Sequence, residues 1–163
     1  MIPGTFTQIY LQFIIAVKYR EGLIQPKYQA ELFPFIAGLV NSMGHKSYAV
    51  NGMPDHMHVF ISFKPNHTPA DTIKEIKRAS TNFINNNKWF PGKFQWQSGY
   101  GCFSYSRSQI DAVVKYILNQ REHHKKTTFK KEYMEFLRRY GIEYEMKYLF
   151  DFFEDESGIL IQK

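Results

Sequence analysis

His56-Met57-His58 sets two imidazoles two positions apart, within a run, Val59 to Phe63, that reads as a strand. Strand side chains alternate between faces, so both rings point the same way and can grip one divalent ion. Further along, Tyr116 and Gln120 stand at i and i+4 of an expected helix, which sets a phenol beside an amide oxygen. Together these are the parts of a metal-assisted tyrosine nucleophile. Neither half is specific alone, because the chain holds six histidines and 11 tyrosines, most of which must serve packing. The helix pattern adds information. Ile110, Val113, Val114, Ile117 and Leu118 form an apolar stripe, and Tyr116 lies about 130° from its centre, Gln120 about 90°. Tyr116 is therefore expected to meet solvent, a second subunit or a substrate, not the core under its own helix.

The chain that must position these groups has 163 residues, enough for one domain with a real core. A hydrophobic content of 44% excludes disorder, and the longest apolar run, Phe13 to Val17, is far too short to cross a bilayer. Met1-Ile2-Pro3-Gly4 leads into a strand pattern without the basic and apolar regions of a signal peptide, so a cytoplasmic protein is expected. The single Cys102 rules out an internal disulfide and disfavours structural zinc. The net charge of +6 suits a polyanionic partner. Lys74, Lys77 and Arg78 decorate one expected helix, and Arg121, Lys125 and Lys126 follow the tyrosine. Solvated helix faces are the plain reading of such residues. Yet Asn85, Asn86, Asn87, Trp89 and Trp96 lie among them, and stacking groups beside cations are what single-stranded nucleic acid needs.

The order of elements reads β-α-β-β-α-β-α-α. Strand one spans Thr5 to Arg20, a helix runs from about Lys27 to Gly44 with Pro34 in its first turn or at a bend, and Gly52-Met53-Pro54-Asp55 joins a hairpin. Thr68-Pro69-Ala70-Asp71 opens a second helix, Phe94 to Ser106 is a strand bent near Gly99-Tyr100-Gly101, and Ser108 to Asp111 resembles a capping box for the tyrosine helix. Thr127 or Thr128 caps a last helix. The expected fold class is α+β: a ferredoxin-like (RRM-like) antiparallel sheet with helices on one face, plus an extra C-terminal helix bearing Tyr116. One domain is expected over 1–150, with a tail at 151–163, and the apolar stretch from Tyr148 to Phe153 is expected to dock on a neighbour.

In four ordered blocks the chain resembles the single-tyrosine transposases of the insertion-sequence 200-like (200/605) family, which are HUH (His-hydrophobe-His) endonucleases. The blocks are Ala16 to Arg20, Met53 to Val59, Trp96 to Gly101 with Phe103-Ser104, and Tyr116 to Gln120 followed by His123-His124. The resemblance covers nearly all of the chain and thins after about Tyr148. It implies an enzyme that cuts and rejoins single-stranded DNA at mobile-element ends through a 5′-phosphotyrosine intermediate. It further implies that His56, His58 and Gln120 bind Mg²⁺ or Mn²⁺, that Tyr116 attacks the scissile phosphate, and that hairpins near the element ends are recognised. A homodimer whose active site is shared between subunits is implied as well, acting at the nucleoid of a bacterial or archaeal cell.

Physical chemistry agrees with this chemistry. A divalent ion on a phosphodiester oxygen orients the group and offsets charge that builds during attack. A phenol with a reference pKa of ~10 must lose its proton, and the acceptors open to it are solvent, a water on the ion, or His123 two turns along the helix. For His123 the plainer role is favouring the helix dipole. A covalent phosphotyrosine stores the broken bond, so no nucleotide-binding glycine loop is needed. Two alternatives stand beside this reading: a domesticated relative acting on chromosomal repeats, and a non-catalytic module binding single strands or hairpins. A hydrolase using water would need an acid beside the histidines, and Asp55 is the only one nearby in sequence.

Overall fold

Strand β1 (Tyr10–Ala16), helix α1 (Pro26–Ser42), strands β2 (Lys46–Met53) and β3 (His56–Ser62), helix α2 (Pro69–Asn86) and strand β4 (Gly101–Tyr105) make up the first part of the chain. Helices α3 (Ile110–Leu118), α4 (Gln120–His123) and α5 (Phe129–Arg139) follow. These elements belong to the computed structural model, which describes residues 3–153. The four strands form one antiparallel sheet of order β2-β3-β1-β4, the ferredoxin-like arrangement expected from the element order. The apolar run of β1 makes it an inner strand, buried from Leu11 to Ala16. Its neighbour is β3, with Ala16 opposite His56, Ile14 opposite His58 and Gln12 opposite Phe60.

Strand alternation then divides the molecule into layers. Phe13, Ile15 and Val17 with Met57, Val59 and Ile61 pack against Leu32, Ile36 and Val40 of α1 and Ile73, Ile76 and Ile84 of α2. The other face carries Gln12, Ile14 and Ala16 beside His56, His58 and Phe60. There Ile14 and Ala16 meet Phe129, Tyr133 and Phe136 of α5, while Phe60 and Ala49 meet Val113 and Ile117 of α3. The sheet is thus covered twice, and the histidine face lies beneath the additional helices.

Several boundaries differ from the sequence-based expectation. Strand β1 starts at Tyr10 rather than Thr5. Pro34 sits well inside α1, where its ring nitrogen cannot donate, and Pro26 takes the first turn. Strand β4 is confined to 101–105: Trp96 makes only an isolated bridge to Val17, and Gly99 turns the chain with φ +83°. The capping box is Ser106 with Gln109, opening a short 3-10 turn before α3, not Ser108. Thr128, and not Thr127, caps α5 by accepting from the Lys131 amide.

The expected tail needs the largest correction. Phe150 and Phe153 are buried, and Phe150 and Phe152 pack on Phe129 and Tyr133 of the same chain. Gln97 donates to the Asp151 carbonyl at 2.8 Å and accepts from its amide at 2.7 Å. The aromatic residues after 148 therefore cover their own domain, because α5 leaves an apolar flank that they can bury. The rest of the expected tail, from 154 on, lies outside the described residues. Among the described residues, no helix is long and apolar enough to cross a membrane.

Candidate active site

The two imidazoles are placed by the β2–β3 hairpin. Gly52 lies opposite Met57, and any Cβ there would run into the His56 carbonyl oxygen, so the close approach requires glycine. The tip is pinned to the rest of the fold: Ile24 donates to the Pro54 carbonyl at 2.8 Å, and Val17 to the Asp55 carbonyl at 2.9 Å. Asp55 then turns back to meet His56 Nδ1 at 2.8 Å, and the imidazole stacks on Phe129 with centroids 3.8 Å apart and planes 5° from parallel. His58 Nδ1 is 2.6 Å from Gln12 Oε1, and Gln12 Nε2 donates to the Tyr105 hydroxyl at 2.6 Å. An amide oxygen only accepts, so Nδ1 of His58 donates to Gln12, which leaves Nε2 facing the site. Both histidines are thus held from behind and offer Nε2 on one side.

Tyr116 and Gln120 reach that side by a route the periodicity did not reveal. The helix breaks at Asn119 (φ −98°, ψ 19°), so the two residues lie on α3 and α4 rather than on one helix. Asn51 caps the break, its amide donating to the Ile117 carbonyl at 2.9 Å and the Leu118 carbonyl at 3.3 Å. Gln120 is fully buried, with Oε1 3.1 Å from His56 Nε2 and 3.0 Å from His124 Nε2. Tyr116 is half-buried beside His58, their rings 6.2 Å apart. Val113 and Ile117 pack on the sheet as the stripe predicts, while Tyr116 turns toward α5. His56, His58, Gln120 and Tyr116 meet within a single chain, so a second subunit is not needed to bring them together.

At their centre stands Glu132, a residue the sequence reading did not single out. Its Oε1 lies 3.2 Å from His58 Nε2 and 3.4 Å from His56 Nε2. Its Oε2 accepts from the Tyr116 hydroxyl and from Gln120 Nε2, and lies 3.2 Å from His123 Nε2 and 3.4 Å from His124 Nε2. His123 Nε2 also contacts the Tyr116 hydroxyl at 3.1 Å. Since that hydroxyl donates to Glu132, it accepts from His123. A signal was present: Phe129, Glu132, Tyr133 and Phe136 form the buried stripe of α5, and an acid at a core position needs partners there. His56 and His58 are far from Glu132 in sequence, which is why proximity along the chain to those histidines suggested only Asp55.

The donor set fits a divalent ion. His56, His58 and Glu132 each offer one ligand atom within 4.8 Å of the others, and the same holds for His123, His124 and Glu132. Two imidazole nitrogens, a carboxylate and the Gln120 amide oxygen suit a first-row divalent metal or Mg²⁺. Without an ion the charges are balanced by protons. Burial opposes charge on His56, but the carboxylates of Asp55 and Glu132 outweigh it and raise its pKa to about 10. Burial holds His58 below its ordinary value, with Glu132 opposing and His56 and His124 reinforcing. Burial would raise Glu132, yet the surrounding imidazoles hold it well below the carboxylate range. Burial, joined by the Glu132 charge, pushes the Tyr116 phenol far up. In this state the tyrosine is a protonated, unreactive phenol.

The basic residues expected at DNA divide into two groups. Lys74, Lys77 and Arg78 lie on α2, on the sheet face opposite the histidines. Lys77 is tied to the carbonyls of Gln97 and Gly99 at 2.8 and 2.7 Å, and Arg78 pairs with Glu75. Lys77 thus holds the 97–99 segment, a structural role. Arg121, Lys125 and Lys126 are exposed on and just after α4, the element that supplies Gln120, with Lys125 paired to Glu122 at 2.8 Å.

Comparison with known proteins adds an independent observation. The sequence model of the family described as "Transposase IS200 like" matches residues 5–120, a stretch that includes His56, His58, Tyr116 and Gln120 and stops before His123, His124 and Glu132. No curated protein matches. A crystal structure of a candidate transposase from Deinococcus radiodurans R1 superposes with a TM-score of 0.57 at 23% identity, covering 74% of this chain and 96% of that one. The structure of a REP-associated tyrosine transposase bound to a REP hairpin superposes with a TM-score of 0.56 at 15% identity, covering 100% of this chain and 99% of that one. At these identities the likeness is one of fold.

Proposed function

Since the chain belongs to the IS200-like transposase family, we propose that it cuts and rejoins single-stranded DNA at mobile-element ends, with Tyr116 as nucleophile and a 5′-phosphotyrosine as intermediate. The observation that carries this reading is the convergence of the Tyr116 hydroxyl and the donors His56, His58, Gln120 and Glu132 on one site. These donors would hold Mg²⁺ or Mn²⁺, which when bound supplies positive charge to the phosphodiester. The remaining work belongs to the chain's own groups. Asp55 and Gln12 fix the imidazoles from behind, Glu132 is placed to take the phenol proton it already accepts in a hydrogen bond, and His123 donates to the phenol oxygen. The phenol oxygen then bonds to phosphorus, the bond from phosphorus to the 3′ oxygen breaks, and that oxygen leaves as a 3′-hydroxyl once protonated. Reversal at a new 3′ end rejoins the strand without an external energy source.

Recognition of DNA hairpins is part of this proposal, supported by the whole-chain likeness to a protein bound to a REP hairpin. The same likeness supports a second reading, in which this chemistry acts on dispersed chromosomal repeats. The decisive experiment incubates the protein with hairpin-bearing single strands from the flanks of its own gene and Mg²⁺ or Mn²⁺, and looks for a covalent protein–DNA band. A band that forms equally with Tyr116→Phe would refute the assignment. We also propose that the site works within one subunit. Mixed Tyr116→Phe and His56→Ala/His58→Ala proteins should then stay inactive, whereas restored cleavage would establish a homodimer sharing its sites.

A further inference from the structure

Between α3 and α5 lies a cavity of about 580 Å³, within the range typical of small-ligand sites. Tyr116, His123 and Glu132 belong to its wall, so whatever fills it rests against the nucleophile. Tyr105, Phe136 and Tyr140 supply aromatic surface beside them. Lys131, Arg139 and Ala112 line it from exposed positions, and neither Lys131 nor Arg139 forms an ion pair among the described residues. The rim acid Glu135 is matched by Arg138 at 2.9 Å. The α5 wall lies outside residues 5–120, the part matched to the family.

We propose that this cavity is a nucleotide subsite, receiving the unpaired base of the nucleotide joined to the scissile phosphate, with Lys131 and Arg139 receiving its flanking phosphates. The inference rests on the proposed function and adds to it a place where sequence can be read. Three features identify the occupant. Aromatic walls suit the flat face of a base, and the exposed cations at the mouth suit phosphates on either side. Access gives the third: His56 and His58 are fully buried, while Tyr116 is reachable from this cavity, so a phosphodiester approaching the hydroxyl must bring its attached nucleoside here. Gln109 and Tyr140, also in the lining, offer polar groups to a base edge.

The test uses the full-length protein in EDTA and the four deoxynucleoside 3′,5′-bisphosphates, each a single unit of a strand with both phosphates. Calorimetry should detect binding of at least one, with the four differing in affinity. Ala112→Trp fills the cavity from the α3 side, and Arg139→Ala removes a cation from the α5 side. Each should weaken binding about tenfold or more, in line with the loss of one stacked base or one phosphate contact, while the melting temperature stays near that of the wild type. Failure of all four bisphosphates to bind would overturn the proposal, as would binding that both variants leave within about twofold. The covalent-adduct experiment is separate. Bisphosphate binding lost in both variants, together with no adduct on any strand, would sustain the subsite and reject the transposase chemistry.

Discussion

Glu132→Gln removes one negative charge while keeping the shape of the side chain, and its cost can be worked from the site. The carboxylate lies 3.4 Å from His56 Nε2, and His56 carries the proton because its pKa is raised to about 10. A unit pair at that separation is worth roughly 5 kcal/mol at an effective dielectric constant of ~20. Removing one partner of a buried pair costs about 3–5 kcal/mol in measured cases, and the low end applies here because Asp55 still faces His56. At ~2–4 °C per kcal/mol for a domain of this size, melting in EDTA near neutral pH should fall by about 6–12 °C. The pH dependence follows from the sign of the shift. A histidine raised in the folded state contributes stability that is fully present below its unfolded pKa of ~6.5 and is lost as pH rises through about 10. The difference between wild type and variant should therefore shrink toward high pH. Urea titrations of both proteins near neutrality and above about pH 10 provide the assay. A difference below ~1 kcal/mol near neutrality, or one that does not change with pH, would refute the pairing of Glu132 with a charged His56.

Tyr116→Phe should fold and bind DNA like the wild type and yield no covalent adduct on denaturing gels. Gln12→Leu should lower Mn²⁺ affinity about 10–100-fold by calorimetry, the usual cost of removing a group that orients a metal-binding histidine, with the main loss in melting confined to the β1–β4 contact through Tyr105. Because the ion must displace the His56 proton, Mn²⁺ affinity should rise by up to about tenfold per pH unit below about 10, with one proton released per ion; calorimetry in buffers of different ionisation enthalpy measures that release. Binding to single-stranded hairpins should weaken with salt, each neutralised phosphate adding ~0.7 to the log–log slope, and Arg121→Ala with Lys126→Ala should reduce that slope if α4 and its following turn face the strand.

The pattern of residues was enough for the frame of this protein. The β-rich run His56 to Phe63 and the apolar run of β1 specify strands, and strands with intervening helices in that order leave few antiparallel sheets that bury both. His56, His58 and Tyr116 were legible for the same reason, since faces of strands and helices follow from spacing alone. Glu132 was not, because its meaning depends on α5 folding back over the sheet and bringing a carboxylate to histidines 74 and 76 residues earlier. The break at Asn119 was hidden as well, since it is Asn51, from another strand, that satisfies the carbonyls it frees. The aromatic residues after Tyr148 looked like an offer to a neighbour, and only the apolar flank of α5 decided that they cover their own chain. Local periodicity determines which face a residue takes. Which faces meet is decided by tertiary packing, because burial is a property of the pair and not of either segment.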